Sequence, residues 1–293
     1  MFTSATLYRI QALPAADFEI TAALESGAFM PCGPTQEVSH GWIAPRGPGE
    51  ALCECINGQL IYKLMTETKS VPAGVLDREL TTRCKAVEDT TGRKPGKKER
   101  RDLKEEIKLD LLPKAFPKQT ATLVWINPEK KLLVIDTASA KRADEVVNAL
   151  IQSQEGLQVQ PINTLAHPIR VMASWLDQTA QPETMGIDMD CVLVATDESK
   201  TKVKYVKHNL DIPEVKEHIA KGLLPESLAL TWLNRVSFVL NADMTIKGVT
   251  LLDLPELEEG VDEFDASVCL ITGELTGLVD DLIEELGGEI NNA

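Results

Sequence analysis

The sequence predicts an α+β protein, with mixed α/β parts early and late in the chain and a projecting helical hairpin set into the first. Three observations carry this. Short segments of alternating polarity recur along the chain, amphipathic helical segments lie between them, and no fixed-period repeat or low-complexity linker divides them. At 293 residues, with 43% apolar and 26% charged residues, the chain can form one large domain or two to three modest ones.

TLYRIQAL alternates like a strand, and DFEITAALESGAF has apolar residues at helical spacing. Gly33-Pro34 and Arg46-Gly47-Pro48-Gly49 mark turns around a short GWIAP strand, and QLIYKLMTET is a further strand. VLDRELTTRCKAVEDT predicts a helix with Val75, Leu80, Cys84 and Val87 turned inward. Gly92 and Pro95-Gly96 interrupt it. A second helix runs from about Lys97 to Leu112 and stops at Pro113. Its Leu103, Ile107 and Leu111 share a narrow apolar face, and Lys97, Arg101, Lys104 and Lys108 share another. The pair predicts a projecting hairpin, positive at its tip and along one side.

TATLVWI and KLLVIDT flank the turn Asn127-Pro128-Glu129-Lys130 as a β-hairpin. SAKRADEVVNALIQSQ follows as a helix with Ser139 at the N-cap and Ala143, Val146, Val147 and Leu150 inward. HPIRVMASWLDQ and EVKEHIAKG are helical. DCVLVA, TKVKYVKHNL, RVSFVLN and TIKGVTLLDL are strands, and SVCLITGELTGLVDDLIEELGG is a helix stopped at Gly287-Gly288.

Charge is unevenly placed. The formal net charge is −15, yet residues 91–118 hold ten of the 30 Lys and Arg against five acidic residues. Residues 248–293 hold thirteen acidic residues and no Lys or Arg. One region therefore repels phosphate and another attracts it. In ESKTKVKYVKHNL, Lys200, Lys202 and Lys204 alternate on one strand face, with Lys207 and His208 beyond. A solvated edge strand guarded by lysines explains that row as well as a phosphate track does. Together the two segments hold fourteen of the 30 basic residues, which favours a polyanion ligand. Aromatic residues are only 4%, and the four Trp lie in apolar patterns, so no ladder for unpaired bases is evident. Lysine-rich, aromatic-poor contact suits a duplex backbone. Phe116, between Lys114 and Lys118, is open to two placements: the core, or an apolar wedge against DNA.

Enzymatic signatures are mostly missing. There is no phosphate loop, nucleophile elbow, zinc-protease motif or dinucleotide fingerprint, and the four His lie far apart. One alternative uses Asp188, Asp190, Glu198 and Lys200, where carboxylates before and after a strand, followed by Lys, match a Mg²⁺-dependent nuclease. An exposed turn accounts for the same residue types. Cys53 and Cys55 lack the spacing and the second pair of a zinc site. The six scattered Cys, with neither a membrane-length apolar run nor a secretion signal, predict buried free thiols in a reducing cytoplasm and no bound cofactor.

CGPTQEVSHGWIAPRG, INGQLIYK, DLKEEIKLDLLPKAF, DTASAKRADEVVNALI and ITGELTGLVDDLIEELGGE resemble, in that order, the landmarks of the bacterial recombination-associated RdgC family, over about residues 7–289. The resemblance implies a non-enzymatic protein forming a ring-shaped homodimer around a positively lined hole. It implies duplex DNA binding with little sequence preference and weaker single-strand binding. It further implies restraint of RecA-promoted strand exchange, a link to replication-fork repair and a place on the nucleoid. Residues 1–72 with 119–170 would form the central domain, 73–118 the finger and 171–293 the base. The implied DNA contacts are Arg93, Lys114, Phe116, Lys207 and His208. Lys94, Lys97, Lys98, Arg101, Lys118 and Lys204 join them from the basic segments. Lys114 stands where the family has Arg, and His208 where it has Gln. The phosphate attraction of Arg survives in Lys while its bidentate geometry does not. The chain opens FTSA where the family reads WFKN.

Overall fold

The computed structural model describes residues 2–13, 23–197, 200–253, 260 and 262–290. Strand β1 (Ser4–Ala12) is the junction of a twelve-stranded sheet. Its first residues pair with β12 (Ile246–Leu251), Ser4 opposite Lys247. Residues 6–9 pair with β6 (Leu132–Ile135), and residues 8–12 with β7 (Gln158–Pro161). Beyond β6 lie β5 (Pro117–Asn127), β4 (Gln59–Lys69) and β2 (Val38–Ile43), with β3 (Cys53–Ile56) also paired to β4. Beyond β12 lie β11 (Val236–Asn241), β10 (Leu223–Trp232), β8 (Met185–Ala195) and β9 (Lys202–Tyr205). Every pairing between these strands is antiparallel, so the fold is α+β.

The helices are α1 (Ala73–Thr91), α2 (Lys97–Leu111), α3 (Ala140–Ser153), α4 (Pro168–Leu176), α5 (Pro213–Ala220) and α6 (Glu263–Glu285). The apolar stripe of α3 packs Ala143, Val146 and Leu150 into one core with Tyr8, Trp42 and Tyr62. That of α6 packs Val268, Ile271, Leu275 and Leu278 into a larger core with Phe2, Trp125, Trp175 and Trp232. A third, small core joins α1 to α2 through Leu76, Leu80 and Ile107. Among the described residues, no helix is long and apolar enough to cross a membrane.

Most expected elements form, and the departures have physical reasons. In α1 the inward stripe is Leu76, Leu80 and Cys84 at four-residue spacing, with Val75 and Val87 only half-buried. Ser139 stands at the N-cap of α3 but makes no side-chain cap; its N–H donates instead to Thr137 Oγ1 at 3.1 Å. Strands β3, β7 and β10 are unexpected. Two are four residues long, and β10 carries Pro225, which sits at a register shift where a missing donor is tolerated. None of the six Cys is in a disulfide, and only Cys32 and Cys191 are buried. Of the expected DFEITAALESGAF helix, residues 17–22 lie outside the described residues, and 23–26 are helical.

Candidate nucleic-acid interface

The hairpin is built to present its turn. Helix α1 ends on Gly92, whose φ of 71° is the left-handed conformation glycine tolerates, and the Gly92 N–H donates to Glu88 O at 2.8 Å. Helix α2 starts after Gly96, whose N–H donates to Glu99 at 3.3 Å. The same carboxylate takes Arg93 Nη1 at 2.9 Å. Glu99 is held below the usual carboxylate range, first by Arg93 and then by the Gly96 N–H. Arg93 is thus fixed at the tip, where it lines one open depression with Lys97 and Lys98.

The charged side of the hairpin differs from the expectation. Lys104 pairs with Asp77 across the two helices at 3.1 Å, and Arg83 pairs with Asp110 at 2.6 Å. Lys108 pairs with Glu37, before β2, at 2.7 Å. These cations zip the hairpin together and tie it to the sheet, so the continuous positive stripe is interrupted. Lys94 lies 4.0 Å from Glu88. Among the described residues, no carboxylate comes within 4.0 Å of the cationic groups of Lys97, Lys98, Arg101, Lys114 or Lys118. Among the described residues, uncompensated charge therefore sits at the tip and at the root, and also at the exposed Arg78, Lys85 and Arg100 of the two helices.

At the root, a 3-10 turn (Leu112–Lys114) buries Leu112 and leaves Lys114 exposed. Phe116 follows at 93% exposure, which excludes the core placement in the single chain. Lys118 is the second residue of β5, opposite Thr68 of β4. Beside it, the buried carboxylate of Glu67 accepts from Gln119 Nε2 at 2.7 Å and from the Cys32 N–H at 2.8 Å. Those bonds, Gln119 foremost, hold Glu67 below its ordinary pKa.

The second basic segment lies on the other arm of the sheet. Lys202 and Lys204 share the exposed face of β9, but Lys202 is paired with Glu226 at 2.8 Å. Lys200 falls outside the strand, in a turn with φ 46°. Lys207 is also left-handed, with φ 51°, a conformation that costs a non-glycine residue of order 1 kcal/mol. Its N–H donates to Asp190 Oδ1 at 2.6 Å, and the His208 N–H donates to Met189 O at 3.1 Å, so β8 holds the loop. The Lys204, Lys207 and His208 side chains are exposed. In the strand order, β5 and β9 are seven steps apart, roughly 34 Å along the sheet at ~4.8 Å per step.

The nuclease alternative finds its carboxylates engaged. Asp190 holds the Lys207 backbone, and Asp188 Oδ2 accepts from Thr231 at 2.7 Å. Glu198 lies outside the described residues. Among those described, no three His, Cys, Asp or Glu gather as metal ligands.

The acidic segment is woven into the fold, which charge counting could not reveal. Arg46 bridges Glu54 at 3.1 Å, Asp262 at 3.0 Å and Asp265, with its guanidinium over the Phe264 ring. Arg9 pairs with Glu289 and Lys130 with Asp280. Glu285 accepts the N–H groups of Glu183 and Thr184.

A family-wide sequence profile described as "Putative exonuclease, RdgC" matches residues 1–289. Among curated relatives named "Recombination-associated protein RdgC", that of Janthinobacterium sp. (strain Marseille) is 37% identical over 298 residues, covering 99% of this chain and 98% of the relative. That of Cupriavidus pinatubonensis is 38% identical over 296 residues, covering 98% of each. That of Bordetella pertussis is 37% identical over 259 residues, covering 86% of each.

Proposed function

We propose, since the chain belongs to the RdgC family, that it is a non-catalytic, sequence-independent DNA-binding protein of recombination. It prefers duplex, binds single strands more weakly, and closes around DNA as a ring-shaped homodimer. Occupying the duplex restrains RecA-promoted strand exchange at the nucleoid and at forks under repair. In this reading the chain divides into the central domain (1–72 with 119–170), the finger (73–118) and the base (171–293).

The observation that carries the reading is the unneutralised charge at the finger. In a chain of net charge −15, Lys97, Lys98, Arg101, Lys114 and Lys118 have no acidic partner among the described residues, and Phe116 stands exposed among them. Phosphates complete those cations, while acidic surface elsewhere repels the same ligand. Arg93, Lys94, Lys204, Lys207 and His208 extend the contact. Two copies bring finger and loop clusters onto one threaded path, and closure slows dissociation even where each contact is weak.

Fluorescence anisotropy with a short duplex tests this directly. Lys114→Ala with Lys207→Ala lowers affinity, whereas Lys104→Ala, already neutralised by Asp77, leaves it nearly unchanged. Equal effects of the two would refute the assignment. Light scattering with and without duplex reads the dimer. The family description favours a second reading, an exonuclease using Asp190, Glu198 and Lys200 with Mg²⁺. Shortening of a linear duplex by the wild-type protein with Mg²⁺, abolished in Asp190→Ala, would establish it instead.

A further inference from the structure

The ladder between β8 and β9 ends at the pair Cys191 and Tyr205. Asp190 stands one residue before that pair on β8, and Lys207 two residues after it, where the chain has left β9; both are exposed. Past the last rung, a side chain takes over from the backbone. Asp190 Oδ1 accepts the Lys207 N–H at 2.6 Å, and among the described residues it is the one hydrogen-bond partner of Lys207. No described Lys, Arg or His nitrogen lies within 4.0 Å of that carboxylate, so its charge is not spent in an ion pair.

The loop beyond is anchored separately. The His208 N–H donates to Met189 O at 3.1 Å, the His208 ring lies 5.9 Å from that of Tyr205, and Leu210 is buried. Lys207 is the hinge between strand and loop. Its left-handed φ of 51°, unfavourable for a residue with a Cβ, turns the chain so that the next N–H reaches back to β8. A carboxylate at this place repels phosphate, and a chain selected only for local charge would not keep it beside Lys207 and His208. What it supplies is a charge-assisted bond to the strained backbone.

We propose that Asp190 is a positioning residue for DNA, holding the Lys207 backbone in the left-handed turn that presents the Lys207 and His208 side chains to phosphate. The proposal rests on the DNA-binding reading above. Asp190 touches no DNA and acts through Lys207. With the turn fixed beforehand, the two cationic side chains lose less freedom when a phosphate arrives. Without the acceptor, Lys207 relaxes toward extended backbone, the loop separates from β8, and the same side chains are ordered only on binding.

The charge of Asp190 and its oxygen act in opposite directions, and two substitutions separate them. Asp190→Asn removes the charge and keeps an acceptor, whereas Asp190→Ala removes both. Fluorescence anisotropy with a short duplex, in EDTA at one salt concentration, reads the outcome. Asp190→Asn is expected to bind about twofold more tightly than wild type, and Asp190→Ala about fivefold more weakly. Hydrogen exchange at the Lys207 amide is slow in wild type and Asp190→Asn and fast in Asp190→Ala. In a chain with Lys207→Ala and His208→Ala, adding Asp190→Ala no longer weakens binding, a reversal that general damage to the fold cannot produce. Asp190→Ala binding as tightly as wild type would overturn the assignment. So would Asp190→Asn weakening as much as Asp190→Ala, or a loss that persists once Lys207 and His208 are replaced. Each of these, with wild-type binding intact, removes only the positioning role; a wild-type chain that binds neither duplex nor single strand removes the DNA reading itself.

Discussion

A residue's charge counts toward a ligand only when nothing in the fold has already answered it. Lys104 and Lys97 lie on the same helix, yet Asp77 neutralises the first and no described carboxylate reaches the second. Phe116 follows similar logic in apolar terms: its 93% exposure leaves little folding energy to lose. Phe116→Ala should therefore keep stability within about 0.5 kcal/mol. It should also lower duplex affinity by roughly tenfold, the worth of burying an aromatic side chain at ~1.5 kcal/mol. Thermal melting and anisotropy on one preparation check both halves. Glu67 is the opposite case, a buried carboxylate whose work is structural. Its folded pKa lies below the unfolded value near 4.3, so its stabilisation is complete above that pH and fades as pH falls through the lower folded value. Glu67→Gln should melt lower than wild type at neutral pH, with the gap narrowing only in acid. A gap independent of pH down to strong acid would contradict the assignment.

At the scale of elements, the hairpin and α6 were both visible as patterns, but their partners were not. The i, i+4, i+8 spacing of Leu103, Ile107 and Leu111 identified the face of α2 that packs. On α1 the adjacent valine and leucine, Val75 and Leu76, both fit helical spacing, and only the partner helix selected Leu76. Strand β10 stayed hidden because Pro225 reads as a strand breaker until the register shift beside it is known. Ile107 closes the small hairpin core, so Ile107→Ala should cost about 2–5 kcal/mol locally, read as lost hydrogen-exchange protection in α1 and α2. Two glycines of α6 give a sharper contrast. A Cβ on Gly273 meets nothing within 4 Å, and Gly273→Ala should stabilise by up to about 1 kcal/mol. A Cβ on Gly277 would lie 2.8 Å from the Trp232 ring, which is packed in the core. Gly277→Ala should lose stability by about 1–3 kcal/mol despite the better helix former. Chemical denaturation of the two variants gives opposite signs if α6 docks on β10 as described.

For the molecule as a whole, segregation of charge was legible in the counts, but the use of the acidic half was not. Thirteen carboxylates without a basic residue read as a repulsive surface. In the fold four of them, Asp262, Asp265, Asp280 and Glu289, tie the last helix and the residues flanking it to Arg46, Lys130 and Arg9, long-range pairs that no local pattern encodes. The finger and the Lys207 loop were legible as basic segments, while their places on two arms of one sheet followed only from the strand order. The central claim is that the unanswered cations of both arms contact one DNA duplex. The slope of log affinity against log salt tests it most directly. Replacing Lys97, Lys114 and Lys207 together by Ala removes six contacts from the dimer and should flatten that slope by about five units, at ~0.9 per phosphate contact, with the dimer intact. A slope unchanged from wild type would contradict it.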